Sequence, residues 1–179
     1  MTATLAMDQK VAELRLAFDR AFASPAARAT DDTDDMLAVR IAGDPYALRV
    51  SEMSGLATGK KIAFLPSRRP SVVGIAGVRG SLLVVHSLSA LLGYGLHPSP
   101  CTWLALSSGD EPVGLGFDDL EGFLRVRRAD VHAADSAEAK PYVGDMARIA
   151  GGTRPVVSIR SVIETLKARA GGAGPIEEG

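Results

Sequence analysis

A chain of 179 residues that is 46% apolar and 23% charged belongs to the globular proteins, and wholesale disorder is excluded. Its 20 Lys and Arg against 21 Asp and Glu give a formal net charge of −1, which argues against the basic stripe of a dedicated DNA-binding protein. The single cysteine, Cys101, rules out an internal disulfide and fits a reducing compartment.

A chain of this length buries roughly 70% of its extended surface, enough for one domain or two small subdomains without metal or disulfide staples. The first residues lack the basic n-region and unbroken apolar stretch of a signal peptide. The most apolar stretch, 71–93, is broken by Arg79, His86 and several glycines, so it does not read as a membrane span. A cytoplasmic protein is expected.

Residues 8–23 read as an amphipathic helix, with Val11, Leu14, Phe18, Ala21 and Phe22 at helical spacing, Asp8 as N-cap and Pro25 beyond the end. The following SPAARATDDTDD reads as an acidic linker, with Asp31, Asp32, Asp34 and Asp35 as a solvated tether. No glycine and closing glutamate stand where a calcium loop needs them.

From Met36 the pattern alternates. MLAVRIA, the turn Gly43-Asp44-Pro45 and YALRV predict a hairpin. SVVGIAGV and SLLVV predict two buried strands meeting at Arg79-Gly80, and LSALLG a short helix closed by Gly93. CTWLALSS and EPVGLGFD predict a strand pair around Gly109-Asp110, and alternation continues from Asp118 to Arg127. HAADSAEAKPYVGD reads as a loop, YVGDMARIAG and RPVVSI as strands, and RSVIETLKARAGG as a C-terminal helix before a frayed tail. Many short strands and few helices predict a mainly β protein, a barrel or sandwich, with boundaries at 1–35, 36–170 and 171–179.

The candidates for chemistry are sparse. His86, His97 and His132 have no partner at ligand spacing, and no zinc motif occurs, so neither metal nor cofactor is expected. Cys101 suits a small core residue better than a nucleophile, and adjacent Asp118 and Asp119 suit a turn better than a shared-proton dyad. GIAGVRG lacks the phosphate-loop spacing, and its glycines suit a bulge or a close backbone approach. Arg79 stands out, because an arginine inside so apolar a run has to be paired or presented at an interface. Two rival readings are a small enzyme built on Cys101 or Asp118 and Asp119, and a nucleic-acid-binding barrel. The latter lacks stacking aromatics.

At this same run the sequence resembles the CheW family of bacterial chemotaxis coupling proteins. Their pattern G-x-x-N-x-R-G-x-x-x-P-x-x-D-L is matched by GIAGVRGSLLVVHSL, preceded by GDPYALRVSEMSGL. VGLGFDDL and the helix SIRSVIETL match later family motifs, so the resemblance spans about residues 36–167 in order. It implies two intertwined five-stranded SH3-like β-barrels, with no catalytic activity. Its implied partners are the chemoreceptor cytoplasmic domain, a CheA-type histidine kinase and other CheW-like proteins, with no nucleic acid and no direct membrane contact. It also implies a receptor groove that includes Met53, Gly74, Arg79, Thr102, Trp103 and Phe123. Gly77, Val84 and Ser87 depart from the family's Asn, Pro and Asp, and Gly55 falls where many members are acidic. These losses imply a divergent accessory member with weakened kinase coupling, similar to the second CheW of the Frz-type motility pathway of myxobacteria.

Overall fold

A computed structural model describes residues 12, 13, 15, 32–95, 101–109, 111–135 and 140–171. The chain divides into two units, Met1–Asp32 and Thr33–Gly179. In the first, Ala12, Glu13 and Arg15 are helical and exposed, and the apolar stripe expected at Val11, Leu14, Phe18, Ala21 and Phe22 lies outside the described residues.

The second unit is mainly β. Strands β1 (Thr33–Ile41) and β2 (Asp44–Arg49) form the first hairpin. Its turn is Ala42-Gly43, both left-handed with φ of 53° and 83°, as a two-residue type I′ turn requires. The turn therefore falls one residue before the expected Gly43-Asp44-Pro45. Asp44 pairs with Ile41, and Pro45 is tolerated near the strand start, ahead of the β12 pairing at Ala47.

The chain then crosses through a 3-10 turn at Val50–Glu52 into a second set of strands. These are β3 (Met53–Thr58), β4 (Ile62–Phe64), β5 (Val72–Val78), β6 (Ser81–Ser87), β7 (Trp103–Ser107) and β8 (Gly114–Phe117). Helix α1 (Leu88–Leu91) follows β6. The chain returns through Asp118 to β9 (Asp119–Arg127), β10 (Val131–Ala133), β11 (Val143–Ile149), β12 (Gly152–Val157) and helix α2 (Ile159–Gly171).

One sheet has the order β10-β11-β12-β2-β1-β9, the other β3-β7-β8-β6-β5-β4. The second set is thus inserted whole between β2 and β9, which is the expected intertwining. Six strands per sheet, rather than five, result from counting the three-residue edge strands β4 and β10. Each sheet rolls around one core. Ala57, Ala76, Val78, Leu83, Val85, Leu104 and Leu106 fill one, with Ile62 of edge strand β4 against them. Met36, Ala47, Val126, Ala147 and Val156 fill the other, with Val131 of β10 against them. Contributions from both edges of a sheet to a single cluster mean that the sheet has curled into a barrel.

Two further expectations change. The strand begins at Thr33, so Asp34 and Asp35 are strand residues rather than linker. Asp34 bonds Arg49 at 3.5 Å and Arg128 at 3.1 Å, and Asp35 bonds Arg125 at 3.0 Å. Those guanidiniums make an acidic strand end compatible with pairing. His132 and Ala133, expected in a loop, form β10 against Met146 and Asp145.

Helix α2 is fastened at both ends by the inserted part and its approach. Glu52 Oε2 accepts from Arg160 N at 3.1 Å near the helix N-terminus, and Arg69 donates to the Arg169 carbonyl at 2.7 Å near its C-terminus. A carboxylate at the first end and a guanidinium at the last complement the helix dipole.

Candidate functional site

The β5–β6 turn carries the most prominent candidate. Arg79 and Gly80 both have positive φ, 51° and 82°, the same two-residue geometry as in the first hairpin. Glycine accepts this freely, whereas arginine pays about 1 kcal/mol or more for it. Arg79 is exposed, and among the described residues it has no hydrogen bond or ion pair. Its guanidinium lies over β3 at Gly55, where an added Cβ would sit 3.0 Å from Nη2 and 3.5 Å from Cζ. Gly55, which the resemblance marks as commonly acidic, is therefore the position that faces this arginine. Next along the hairpin, Gly77 has nothing within 4 Å of a would-be Cβ, and its register partner Leu82 is 79% exposed. A bare glycine, an exposed leucine and a guanidinium with no partner among the described residues make a surface suited to contact.

The other five expected groove residues are placed differently. Met53 and Trp103 are buried, and they lie toward opposite ends of the β3–β7 ladder, about 14 Å apart at roughly 3.4 Å per residue. Gly74 is buried beside a bulge, and a Cβ there would meet the Ala63 carbonyl oxygen at 2.1 Å, so its lack of side chain serves the close approach of β4. Thr102 accepts a hydrogen bond from the Thr58 hydroxyl at 3.0 Å through its carbonyl. Phe123 is half-buried on β9 of the other sheet, where it is the register partner of Leu37 on β1. The six are spread over both sheets, and Arg79 alone among them is exposed.

Ser87, one of the departures from the family pattern, has internal work. Its hydroxyl accepts from Ala90 N at 3.3 Å as the N-cap of α1 and bonds Ser89 Oγ at 2.8 Å. Serine here fills the cap role that aspartate fills equally well.

The groups considered for enzyme chemistry are structural. Burial, with the charge of Asp118, raises the Cys101 thiol above its usual range, the opposite of what activates a nucleophile. Asp118 accepts from Gly43 N at 3.3 Å and so ties the β8–β9 corner to the first hairpin, while Asp119 bonds its neighbour Leu120 N. His86 is buried with Nδ1 3.3 Å from Ser71 Oγ; burial first, then the charge of Arg69, lowers its pKa. Among the described residues, no group of three His, Cys, Asp or Glu is placed to hold a metal.

Three polar clusters escaped the sequence reading. Arg49 joins Asp34, Glu52 and Asp145, the last at 2.7 Å; burial opposes its charge, but these carboxylates outweigh burial and raise its pKa. Glu121 joins Arg40 at 2.8 Å and Arg154 at 2.6 Å; burial pushes its carboxyl up, yet the two guanidiniums prevail and hold it below the usual range. Tyr94 joins Tyr46 and Asp44, and burial followed by these two partners raises its phenol above the usual range. The signal for the last was present: Tyr94 stands between Gly93 and Gly95, both left-handed, which marks a side chain presented by a turn.

Among curated proteins, no match to the sequence is found. Among solved structures, the scaffolding protein TtCheW from Thermoanaerobacter tengcongensis is similar, with a TM-score of 0.63 and 14% identity over 70% of this chain and 89% of that one. At such identity the likeness establishes the fold. The CheW-like domain family matches residues 35–168, both barrels together. The chain belongs to the CheW-like domain family.

Proposed function

We propose that this protein is a non-enzymatic adaptor of a bacterial chemosensory system that binds the cytoplasmic tip of a chemoreceptor, with its coupling to a CheA-type kinase weakened. Membership of a family of scaffold proteins supports the adaptor role. The observation that carries the contact assignment is Arg79, exposed, without a counter-ion among the described residues, and held out on a strained turn. Arginine is a favoured anchor at interfaces, and a guanidinium beside apolar surface suits a helical ridge flanked by carboxylates. Met53, Gly74, Thr102 and Trp103 then act as scaffold beneath the contact, and Phe123 as a groove wall.

Weakened kinase coupling rests on Gly55 and Gly77, which offer no side-chain hydrogen bond where many CheW proteins have one. Ser87 does not count toward it, because its hydroxyl serves α1. Among the described residues no helix is long and apolar enough to cross a membrane, in keeping with a cytoplasmic adaptor.

Calorimetry with a receptor cytoplasmic fragment and, separately, with the CheA regulatory domain tests the reading. Arg79→Ala is expected to weaken receptor binding by roughly 2–4 kcal/mol, a hot-spot value. Unchanged affinity in a folded Arg79→Ala protein overturns the contact. Kinase binding as strong as that of a standard CheW overturns the weakened coupling.

A further inference from the structure

Away from Arg79, a corner between the two barrels already holds a cation. The Tyr94 hydroxyl donates to Asp44 Oδ2 at 2.5 Å, so the 2.6 Å contact between the two phenols has Tyr46 donating to Tyr94. Lys140 Nζ lies 3.5 Å from the Tyr94 ring centroid and 3.7 Å from Asp44 Oδ2. Ammonium over an aromatic face beside a carboxylate is a recognised way of binding alkylammonium groups. Beside Lys140 opens a cleft of about 440 Å³ whose lining includes Pro45, Val143, Met146, Pro155 and a second carboxylate, Asp135. Asp135 has no ion pair among the described residues, so the cleft carries a second carboxylate beyond the Asp44 that pairs with Lys140.

We propose that this corner is a docking site for a lysine side chain of a partner protein, occupied in cis by Lys140. The apolar wall suits the methylene stem, the Tyr94 ring and Asp44 take the ammonium, and Asp135 adds a second carboxylate to the cleft. Lys140, whose side chain is 42% exposed, is free to swing into water when displaced. This site is separate from the Arg79 surface, and the two readings stand or fall independently.

The test titrates the full chain with a capped Gly-Lys-Gly peptide and its norleucine analogue, which keeps the stem and lacks the charge, following the Tyr94 ring signals by NMR. A tethered occupant competes at an effective concentration in the millimolar range, so Lys140→Met is expected to bind the lysine peptide about tenfold tighter than the native protein. The norleucine peptide is expected not to bind either protein. Asp135→Asn, at an exposed position, should weaken the lysine peptide several-fold without disturbing the fold. No gain in Lys140→Met, equal binding of the norleucine peptide, or indifference to Asp135→Asn overturns the proposal.

Discussion

At Gly55 the atom that an added Cβ would meet is the far end of a long side chain, Arg79 Nη2 at 3.0 Å, which can move. A carboxylate introduced there finds a guanidinium waiting, and the cation proposed to meet the receptor becomes neutralised in cis. Gly55→Asp is therefore expected to lower receptor affinity about two- to sixfold while leaving the melting temperature unchanged or slightly raised, since an exposed pair adds only about 0.2–1 kcal/mol. Receptor binding equal to that of the native protein, with the fold intact, would count against Arg79 as the contact. Gly74 is the opposite case. Its Cβ would meet backbone, the Ala63 oxygen at 2.1 Å, and backbone cannot step aside without parting β4 from β5. Gly74→Ala should cost roughly 1–3 kcal/mol in urea unfolding, and a neutral result would show that the close approach is dispensable. The Arg79-Gly80 turn and the oddity of an arginine in an apolar run were legible in the sequence, because both are local. The relation of Gly55 to Arg79 was not, since it exists only once β3 lies beside the β5–β6 turn.

Strands whose apolar residues alternate or cluster between turn residues were legible as elements, and the hairpins at 79–80 and around Gly109 fall where their glycines put them. The start of β1 was hidden by its own charge. Asp34 and Asp35 read as solvated because their partners are distant in sequence: Arg125 and Arg128 lie 90 and 94 residues away from them. Strand β10, three residues long, has no pattern of its own and forms because β11 offers an edge. Two truncations separate the readings. A chain beginning at Thr33 keeps the Asp34 and Asp35 pairs and the register of Thr33 with Arg127. One beginning at Met36 leaves Arg49, Arg125 and Arg128 each short of a carboxylate. The shorter chain should be the less stable by about 1 kcal/mol or more in matched thermal melts, and equal stability would return these residues to the role of a tether.

The nesting of one barrel inside the other makes the molecule's order depend on its last residues. Sheet one is begun by β1 and β2, but its parallel partner for β2 is β12, more than a hundred residues on. No local pattern announces such a pairing, which is why a barrel or sandwich was as far as residue patterning reached, and the resemblance to a family supplied the rest. Helix α2 closes the arrangement. It leaves β12 of one sheet, and its Ile163, Leu166 and Lys167 line a cleft of about 570 Å³ with Val72, Val84 and His86 of the other. Buried Ile159, Val162 and Leu166 give it the apolar face, and Glu52 and Arg69 hold its ends. Leu166→Ala removes buried side chain from this junction and should cost about 2–5 kcal/mol. Because α2 continues from β12 of one sheet and lines a cleft with the other, the loss should appear in both. In native-state hydrogen exchange, amides of β5–β6 and of β12 should lose protection together by similar free energies. If only the β5–β6 amides respond, α2 is a lid on one barrel rather than the staple between the two.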